Sequence, residues 1–293
     1  MRVLLFGGSG QVGTALRRLV GDGVTLSAPG RAELDLARPA AIAAAIATSG
    51  ADLVVNAAAY TAVDKAESEP ELAQRINGDA PGAMAVQCAR RGIPLVHIST
   101  DYVFDGARHG ALTEDDPVGP LGVYGASKLA GEQAVRSAGG AHAILRTSWI
   151  FSDLGTNFVK TMLRLAAERP ELRVVDDQTG GPTAAEAVAG AALAVGRALA
   201  GGDGAAGTYH FSGAPPTTWF GFASEILERW RALTGRPVPR LTPIPTSAYP
   251  TPARRPGNSV LDCGLIQRTF GIAQPDWRTD LDEALRRLVA KGS

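Results

Sequence analysis

Short apolar runs alternate with longer helix-like patterns through the first half of this 293-residue chain. The apolar runs, each with the number of its first residue, are VLLF (3), VTL (24), DLVVN (52), PLVHIST (94) and HAILRTSWIF (142). Between them lie segments with the apolar spacing of helices, among them TALRRLV, AAIAAAIA, PGAMAVQCARR and SKLAGEQAV. Strands that alternate with helices form parallel sheets buried on both faces. The pattern therefore predicts an α/β fold with a doubly wound, Rossmann-type parallel sheet.

The second half of the chain is interrupted by glycine in GGDGAAG and by prolines from Pro237 to Pro256. LRVVD (172–176) and TYHFS (208–212) predict strands, whereas TWFGFASEILERWRAL and WRTDLDEALRRLVA predict amphipathic helices. We expect residues 1–150 to form a dinucleotide-binding domain. Residues 151–293 would form mainly a smaller C-terminal substrate-binding domain, interleaved with strands that return to the large sheet.

Composition excludes several classes of partner. Lys plus Arg equals Asp plus Glu at 29 each, so the chain lacks the basic surface that binds nucleic acid. Residues 183–200 are rich in alanine but include Glu186 and Arg197, which favours a packed helix over a membrane span. The N-terminal apolar run is too short for a signal peptide, and Cys88 and Cys263 are isolated in sequence. These features predict a cytoplasmic protein without a membrane partner.

The first strand ends in a glycine loop, GGSGQVG, in which Gly7, Gly10 and Gly13 recur at every third position. Glycines between a strand and a helix allow a tight turn and let the backbone approach a pyrophosphate, which then binds the helix N-terminus. A tightly packed loop without a ligand is the alternative. Because the loop follows the first strand of an alternating α/β chain, dinucleotide binding is favoured.

The choice between NADPH and NADH depends on the end of the second strand, which reads LSAPGRAELD. No acidic residue directly follows that strand to hold the ribose 2′-hydroxyl of NADH. Arg31 would pair with the 2′-phosphate of NADPH, with Asp35 beside the adenine; an ordinary solvated charge is the alternative interpretation of Arg31. We therefore predict NADPH, with NADH as the alternative.

The candidate chemistry centres on Tyr124 and Lys128, four residues apart on a predicted helix. Their side chains project from one face, so the ammonium would lower the pKa of the phenol. Ser99 and Thr100 end a predicted parallel strand, where open α/β sheets bind their ligands. The set suits carbonyl reduction without a metal: Tyr124 protonates the alkoxide, Lys128 holds the nicotinamide ribose, and Thr100 binds the substrate oxygen. His97 lies within a predicted buried strand and is interpreted as a core residue.

Eight segments resemble the extended short-chain dehydrogenase/reductases, and specifically the dTDP-4-dehydrorhamnose reductase family. They are GGSGQVG, VVNAAAYTAVDKAESEP, STDYVFDG, VYGASKLAGE, RTSWIF, NFVKTMLRLA, DQTGGPT and RPGNSVLD. They span the chain to about residue 262, and TAVDKAESEP, RTSWIF, DQTGGPT and RPGNSVLD are the more specific ones. The resemblance implies reduction of dTDP-4-dehydro-L-rhamnose to dTDP-L-rhamnose, the last step in making that sugar donor.

The resemblance also implies the residues of the site, with Thr100, Tyr124 and Lys128 as the catalytic set. The cofactor would contact Gly7, Gly10, Gln11, Val12, Gly13, Arg31, Asp35, Leu36, Asn56, Ala57, Ala58, Ala59, Tyr124 and Lys128. The substrate would contact Val63, Thr100, Asp101, Trp149, Asn157, Arg255 and Asn258, with Ser259 beside them. Trp149 would pack on the deoxysugar, and Arg255, Asn258 and Ser259 would bind the diphosphate. The alternatives are a core aromatic for Trp149, a helix cap for Asn157 and structural roles in a proline-rich turn for the rest.

One departure concerns magnesium, which some family members bind at a dimer contact through glutamates. The position two residues after the last loop glycine is Ala15 here, and Glu186 alone would bind the ion weakly. We therefore predict no metal-mediated dimer, and the chain would be a monomer or a homodimer.

Two other functions remain open from the sequence. A nucleotide-sugar epimerase or dehydratase shares the glycine loop and the Tyr/Lys pair, although dehydratases carry a second acid where this chain has Tyr102 after Asp101. A regulatory subunit would bind the dinucleotide without turnover, but it would have no evident reason to keep Thr100, Tyr124 and Lys128 together.

Overall fold

The computed structural model describes residues 1–21 and 23–292. Its strands are β1 (Arg2–Phe6), β2 (Thr25–Ser27), β3 (Leu53–Asn56), β4 (Leu95–Thr100), β5 (His142–Thr147), β6 (Ile150–Phe151), β7 (Glu171–Val175), β8 (Thr179–Gly180), β9 (Thr183–Ala184), β10 (Gly207–His210), β11 (Thr217–Thr218), β12 (Arg240–Ile244) and β13 (Asn258–Ser259). Its α-helices are α1 (Gln11–Leu19), α2 (Pro39–Ser49), α3 (Val63–Ala66), α4 (Pro70–Gln74), α5 (Ala80–Arg91), α6 (Val123–Ser137), α7 (Phe158–Glu168), α8 (Ala185–Gly201), α9 (Trp219–Thr234), α10 (Gly264–Phe270) and α11 (Trp277–Gly292). A π-helical turn (Arg75–Asp79) joins α4 to α5, and single 3₁₀ turns occur at Asp101–Val103 and Thr246–Ala248.

The main sheet of the described residues is parallel, in the order β10-β5-β4-β3-β1-β2. Every residue of β3 and β4 is buried, as the continuous apolar runs predict. After β1 the chain passes first to β2 on one side and then to β3 on the other. The loops that follow β1 and β3 therefore diverge at the carboxyl edge, which is where open α/β sheets bind ligands. The predicted doubly wound Rossmann-type fold is confirmed.

Helices cover both faces of this sheet. On one face α1 and α8 contribute Leu16, Val188 and Val195 to the core, and on the other α2 and α5 contribute Ile42 and Met84. The alanine-rich α8 approaches the strands closely, since a Cβ on its Gly196 would lie 2.4 Å from the Leu53 side chain. No helix among residues 1–21 and 23–292 is both long enough and apolar enough to cross a membrane.

A second core lies beside the main sheet, formed by β6, β7, β9, α7, α9 and α11. Phe151, Met162, Val174 and Phe222 pack there around Trp277, which is fully buried. The short sheets β12-β7 and β6-β9 belong to this region, while β10 pairs with β5 in the main sheet. The domain boundary at residue 150 stays a prediction, and Asp22 and Ser293, which the predicted ranges include, lie outside the described residues.

One predicted strand is divided in the structure. HAILRTSWIF forms β5 up to Thr147 and then β6 from Ile150, which pairs with β9 instead of the main sheet. Between them Trp149 has a φ of 47°, the left-handed conformation that ends a strand. The apolar run continues through this break because β6 enters the second core, so the pattern alone does not reveal the turn.

Candidate active site

The glycine loop leads from β1 directly into α1. Gly7 has a φ of 86°, and a Cβ there would lie 2.5 Å from the backbone nitrogen of Ala58. A Cβ on Gly13 would lie 2.1 Å from the Gly7 carbonyl oxygen, to which the Gly10 N–H donates at 3.0 Å. Gly10 precedes α1 without a side-chain cap. The uncapped amides of the first turn are therefore the kind of group that binds phosphate at a helix N-terminus.

The loop after β3 lies against the glycine loop because β1 and β3 are neighbours. The Ala57 N–H donates to the Phe6 carbonyl at 2.9 Å. Asn56 accepts from the Ala58 N–H through Oδ1, and its Nδ2 lies 3.0 Å from Nδ1 of His97 on β4. The segment predicted to pass beneath the cofactor, residues 56–59, is thus held at the carboxyl edge beside the predicted phosphate loop.

Arg31, Asp35 and Leu36 lie in the loop that follows β2. Arg31 is exposed, and Leu36 packs partly buried against the core beneath α2. The Asp35 carboxylate accepts from the Ala37 N–H at 2.9 Å and so stabilises its own turn. The loop therefore presents the Arg31 guanidinium at the carboxyl edge of the sheet, while the Asp35 carboxylate is hydrogen-bonded to the backbone of its own turn.

Thr100 and Tyr124 meet where β4 ends and α6 begins. α6 approaches this edge closely because Gly125 has no side chain: a Cβ there would lie 2.2 Å from the Tyr102 carbonyl oxygen. The Thr100 hydroxyl lies close enough to the Tyr124 phenol to lower the pKa of that phenol, and the Tyr124 ring packs edge-on against Tyr102 with centroids 5.6 Å apart. Glu67 on the turn after α3 caps α6 by accepting from the Val123 N–H at 2.8 Å.

Lys128 lies one turn after Tyr124 and is almost fully buried. Its ammonium donates to the Ile98 carbonyl oxygen at 2.7 Å and lies 3.5 Å from Nε2 of His97. The contact ties α6 to β4 two residues before Thr100. His97 is fully buried as predicted, and burial together with the Lys128 charge holds its pKa well below the usual range.

The pKa of Tyr124 differs from the sequence-based expectation. Burial raises it to about 12, against a smaller opposing effect of the Thr100 hydroxyl, and burial lowers the pKa of Lys128 to about 8. The expectation that Lys128 lowers the phenol pKa is therefore wrong for this arrangement, in which the ammonium donates to Ile98. A phenol with a pKa near 12 is protonated at neutral pH and is ready to act as an acid.

A narrow cleft opens beside Tyr124, with Val63 and Tyr102 on one side and Ala253, Arg254 and Pro256 on the other. Arg255 lies in the same segment but is bound to Asp64, with Nη1 to Oδ1 at 3.1 Å and Nη2 to Oδ2 at 2.8 Å. The Arg255 hydrogen bond holds the pKa of the Asp64 carboxyl below its usual range. The predicted diphosphate ligand Arg255 is thus engaged by a carboxylate across the cleft.

Trp149 stacks on Trp219 with ring centroids 3.6 Å apart and an angle of 10° between the planes. The Trp149 ring packs directly on Gly180, since a Cβ at that position would lie 2.6 Å from the indole. Both indoles remain partly exposed. A positive φ at a bulky residue is strained, and such strain concentrates at functional sites. The pair therefore forms a rigid, partly exposed aromatic surface that suits a sugar.

Asn157 and Asn258 have their amides fully engaged. Asn157 caps α7 through Oδ1, and its Nδ2 donates to Oε1 of Gln11 at 2.9 Å and to two backbone carbonyls. Asn258 donates to the carbonyls of Arg108 and Gly110. The helix-cap interpretation of Asn157 describes the local geometry, and contact of either amide with substrate stays a prediction.

Sequence reasoning missed a buried ionic network behind the site. Arg146 on β5 binds Glu132 on α6 through two parallel hydrogen bonds, of 2.9 Å from Nε and 2.7 Å from Nη2. Glu132 also accepts from Ser99 at 2.6 Å, and Arg146 extends to His210 on β10. The network thereby joins β4, β5, β10 and α6. A Glu on the buried face of α6, eight residues after Tyr124, and an Arg within the apolar run HAILRTSWIF are the sequence signals that could have revealed it.

The residues around Glu186 do not fit a divalent cation. The Glu186 carboxylate accepts from Arg287 at 2.7 Å and has Arg18 at 3.7 Å, while Asp153 pairs with Arg18 and Lys291. Ala15 is fully buried. Over residues 1–21 and 23–292, no group of three or more His, Cys, Asp or Glu could hold a metal ion. Arginine and lysine side chains already neutralise the carboxylates of this cluster, so no step of the reaction is assigned to magnesium.

Comparison with known proteins decides the family. A model described as the RmlD substrate binding domain matches residues 1–290. The dTDP-4-dehydrorhamnose reductase of Burkholderia thailandensis is 46% identical, with 99% of this chain and 100% of that protein aligned. The chain belongs to the dTDP-4-dehydrorhamnose reductase family.

Solved dTDP-4-dehydrorhamnose reductases share the whole fold. The Clostridium acetobutylicum enzyme superposes with a TM-score of 0.91 at 36% identity, covering 99% of this chain and 100% of that one. The Bacillus anthracis enzyme, solved in complex with NADP, gives 0.88 at 33% identity and covers 99% of each chain. The resemblance on which the sequence analysis relied is confirmed.

Proposed function

We propose that this protein reduces the 4-keto group of dTDP-4-dehydro-L-rhamnose to give dTDP-L-rhamnose, with a nicotinamide dinucleotide as hydride donor. The observation that carries the proposal is full-length membership of the dTDP-4-dehydrorhamnose reductase family. The meeting of Thr100 and Tyr124 at the carboxyl end of β4, with Lys128 one turn away on α6, supports it.

The cofactor residues act by binding and orientation. The glycine loop and the uncapped first turn of α1 would hold the pyrophosphate, and residues 56–59 would lie along the dinucleotide. When bound, the reduced nicotinamide supplies a hydride to the ketone carbon. Lys128 would exchange its Ile98 contact for the nicotinamide ribose, since a flexible ammonium reorients at little cost.

Tyr124 supplies the proton in this proposal. As hydride reaches the carbon, negative charge develops on the carbonyl oxygen, and the phenol donates its proton there. Its pKa of about 12 keeps it protonated at neutral pH. Thr100 donates a hydrogen bond to the same oxygen, and solvent reprotonates Tyr124 after the product leaves.

The substrate diphosphate would replace Asp64 as the partner of the Arg255 guanidinium. A guanidinium matches phosphate oxygens as well as it matches a carboxylate, and the two phosphates of a nucleotide sugar together carry two negative charges against one on Asp64. The exchange would release the segment that contains Arg254 and Pro256 from α3 and widen the cleft beside Tyr124. The stacked Trp149 and Trp219 would then receive the deoxysugar ring.

We infer NADPH as the preferred cofactor, and Arg31→Ala tests this choice. Loss of the guanidinium is expected to raise the KM for NADPH about tenfold or more, because hydrogen bonds to charged groups contribute about 1.5–3 kcal/mol. The KM for NADH would stay unchanged, since it has no 2′-phosphate. Arg90→Ala, an exposed arginine at the end of α5, is the matched control. Equal KM values for NADPH in wild type and Arg31→Ala would remove Arg31 from this role.

The protein would act in the cytoplasm, as a monomer or homodimer, on a small-molecule substrate and without nucleic acid. Support comes from the balanced charge and from Cys88 and Cys263, both of which are free and buried. Burial raises the pKa of the Cys88 thiol to about 12, so it is inert as a nucleophile at neutral pH.

The direct test is oxidation of NADPH, and separately NADH, by purified protein supplied with dTDP-4-dehydro-L-rhamnose from the preceding enzymes. We expect loss of absorbance only when the sugar nucleotide is present, with dTDP-L-rhamnose as product. A folded protein that binds NADPH but leaves this substrate unchanged would contradict the proposal. Tightly bound NAD that does not exchange would instead indicate an epimerase.

A further inference from the structure

Gln11, the first residue of α1, has a side-chain amide that is bound only through its oxygen. Its Oε1 accepts from the Ser152 hydroxyl at 2.8 Å and from Nδ2 of Asn157 at 2.9 Å. Its Nε2 has no hydrogen-bond partner within the described part of the chain. The Gln11 side chain is partly exposed, so this NH₂ group has two hydrogens to offer a ligand.

The orientation of the Gln11 amide follows from backbone groups whose polarity is unambiguous. Oδ1 of Asn157 accepts from the Lys160 N–H at 3.1 Å, so the other end of the Asn157 amide must be its NH₂ group. The Ser152 hydroxyl accepts from the Leu154 N–H, and its oxygen lies 2.8 Å from Gln11 Oε1 against 3.1 Å from the Leu154 carbonyl oxygen. Two donors therefore face Gln11, which turns its oxygen toward them and its NH₂ group away.

The loop that supplies these donors, residues 152–157, is attached to α1 at a second point. Arg18, two turns after Gln11, donates to the Asp153 carboxylate at 3.0 Å. The Asp153 side chain is fully buried and also binds Lys291 of α11 at 2.5 Å. Its negative charge is thus paired with two cations, and it does not repel an anion at the N-terminus of α1.

The free NH₂ group lies where the proposed cofactor brings negative charge. α1 begins at Gln11 after the uncapped Gly10, and the pyrophosphate would bind the free amides of this first turn. A side-chain donor there adds a hydrogen bond to a charged oxygen, which is stronger than one between neutral groups. Ser152 is fully buried, so its hydroxyl acts on a ligand only through Gln11.

We propose that Ser152 is a positioning residue of the cofactor site. Its hydroxyl, together with the helix-capping amide of Asn157, fixes the Gln11 amide so that Nε2 donates to the pyrophosphate of the dinucleotide. The proposal rests on the proposed function, since it requires a dinucleotide at the glycine loop. Because NADPH and NADH both carry the pyrophosphate, Ser152 affects the two cofactors equally, in contrast to Arg31.

The first test is Gln11→Glu, measured by fluorescence titration with NADPH and with NADH in the absence of sugar nucleotide. Glutamate has the same shape and keeps an oxygen toward Ser152 and Asn157, but it replaces the NH₂ group with a charged oxygen. We expect both dissociation constants to rise about 30-fold or more, because a donor is lost and like charges meet. Gln267→Glu, at an exposed position of α10, is the matched control for the added charge. Unchanged binding in Gln11→Glu would overturn the proposal.

The second test is Ser152→Ala, alone and combined with Gln11→Ala. Loss of one hydrogen bond to Gln11 is expected to weaken the binding of both cofactors about three- to tenfold, with kcat at saturating cofactor unchanged. In the Gln11→Ala background the same substitution should have no further effect. Ser212→Ala, at a buried serine beside Cys263 after the edge strand β10, should bind as wild type. Equal weakening by Ser152→Ala in both backgrounds would show a merely structural role and contradict the proposal.

Failure of this proposal and failure of the proposed function give different results. Wild-type protein that binds NADPH but leaves dTDP-4-dehydro-L-rhamnose unreduced would contradict the proposed function, while the effects of Gln11→Glu and Ser152→Ala on binding would remain. Wild-type protein that reduces the sugar, with a Gln11→Glu variant that binds NADPH equally well, would contradict this proposal alone. Gln11→Glu keeps both hydrogen bonds to the loop, so its result does not depend on the stability of the Ser152→Ala variant.

Discussion

Replacing Tyr124 with phenylalanine is expected to lower kcat about 10³-fold, within the 10²–10⁴ range that a positioned general acid contributes. The substitution removes only the hydroxyl, so the ring retains its edge-on packing against Tyr102 at 5.6 Å. The glycine loop and residues 56–59 are untouched. NADPH binding, measured by fluorescence titration, should therefore remain close to that of wild type.

Tyr102→Phe is the matched control for Tyr124→Phe. It removes a second phenol from the same cleft, one whose pKa burial raises even further. Because Tyr102 contacts Thr100 through its backbone N–H, which the substitution keeps, kcat should stay within about threefold of wild type. Turnover by Tyr124→Phe at the rate of this control would exclude Tyr124 as the proton donor.

Replacing Glu132 with alanine is expected to lower the free energy of unfolding by about 3–5 kcal/mol, the cost of leaving a buried ion pair with one member. Arg146 is only 3% exposed, and alanine would leave its guanidinium without a counterion in the interior. Burial alone would raise the pKa of Glu132, but the Arg146 hydrogen bonds and charge hold it below its usual range. The Glu132 carboxylate is therefore ionised at neutral pH, so its removal breaks an ion pair and lowers the free energy of unfolding by the amount expected for one.

Glu168→Ala provides the comparison for Glu132→Ala. Glu168 pairs with Arg164 one turn away on α7, and both side chains are more than half exposed. Such surface pairs contribute about 0–1 kcal/mol, so the free energy of unfolding should hardly change. Urea denaturation of both variants measures the difference. Equal midpoints for the two variants would show that the Glu132–Arg146 pair contributes no more than a surface ion pair.

Local sequence patterns predicted the elements that form the candidate cofactor site. The strand ending at Phe6, the glycines after it and the helix from Gln11 are adjacent in sequence, so spacing and conformational preference suffice to identify them. The same holds for Tyr124 and Lys128, which share a helix face. Trp149 is the exception, because its positive φ is required by β6 leaving the main sheet for the second core.

Contacts between distant segments could not be predicted in this way. Arg255 reaches Asp64 across 191 positions of sequence, and Arg146 meets Glu132 only because β5 lies behind α6 in the folded sheet. The expected effect of Lys128 on Tyr124 also failed for this reason. Helix spacing brings the two side chains to one face, but burial and the Ile98 carbonyl decide the pKa of each.

The measurement that tests the central claim most directly follows the hydride itself. Protein supplied with NADPH deuterated at the transferring position of the nicotinamide, together with dTDP-4-dehydro-L-rhamnose, should give dTDP-L-rhamnose with one deuterium at C4 for each NADPH oxidised. Mass spectrometry and NMR of the sugar locate the label. Product without deuterium at C4, or conversion of the sugar without net oxidation of NADPH, would contradict the account and indicate an epimerase-like cycle instead.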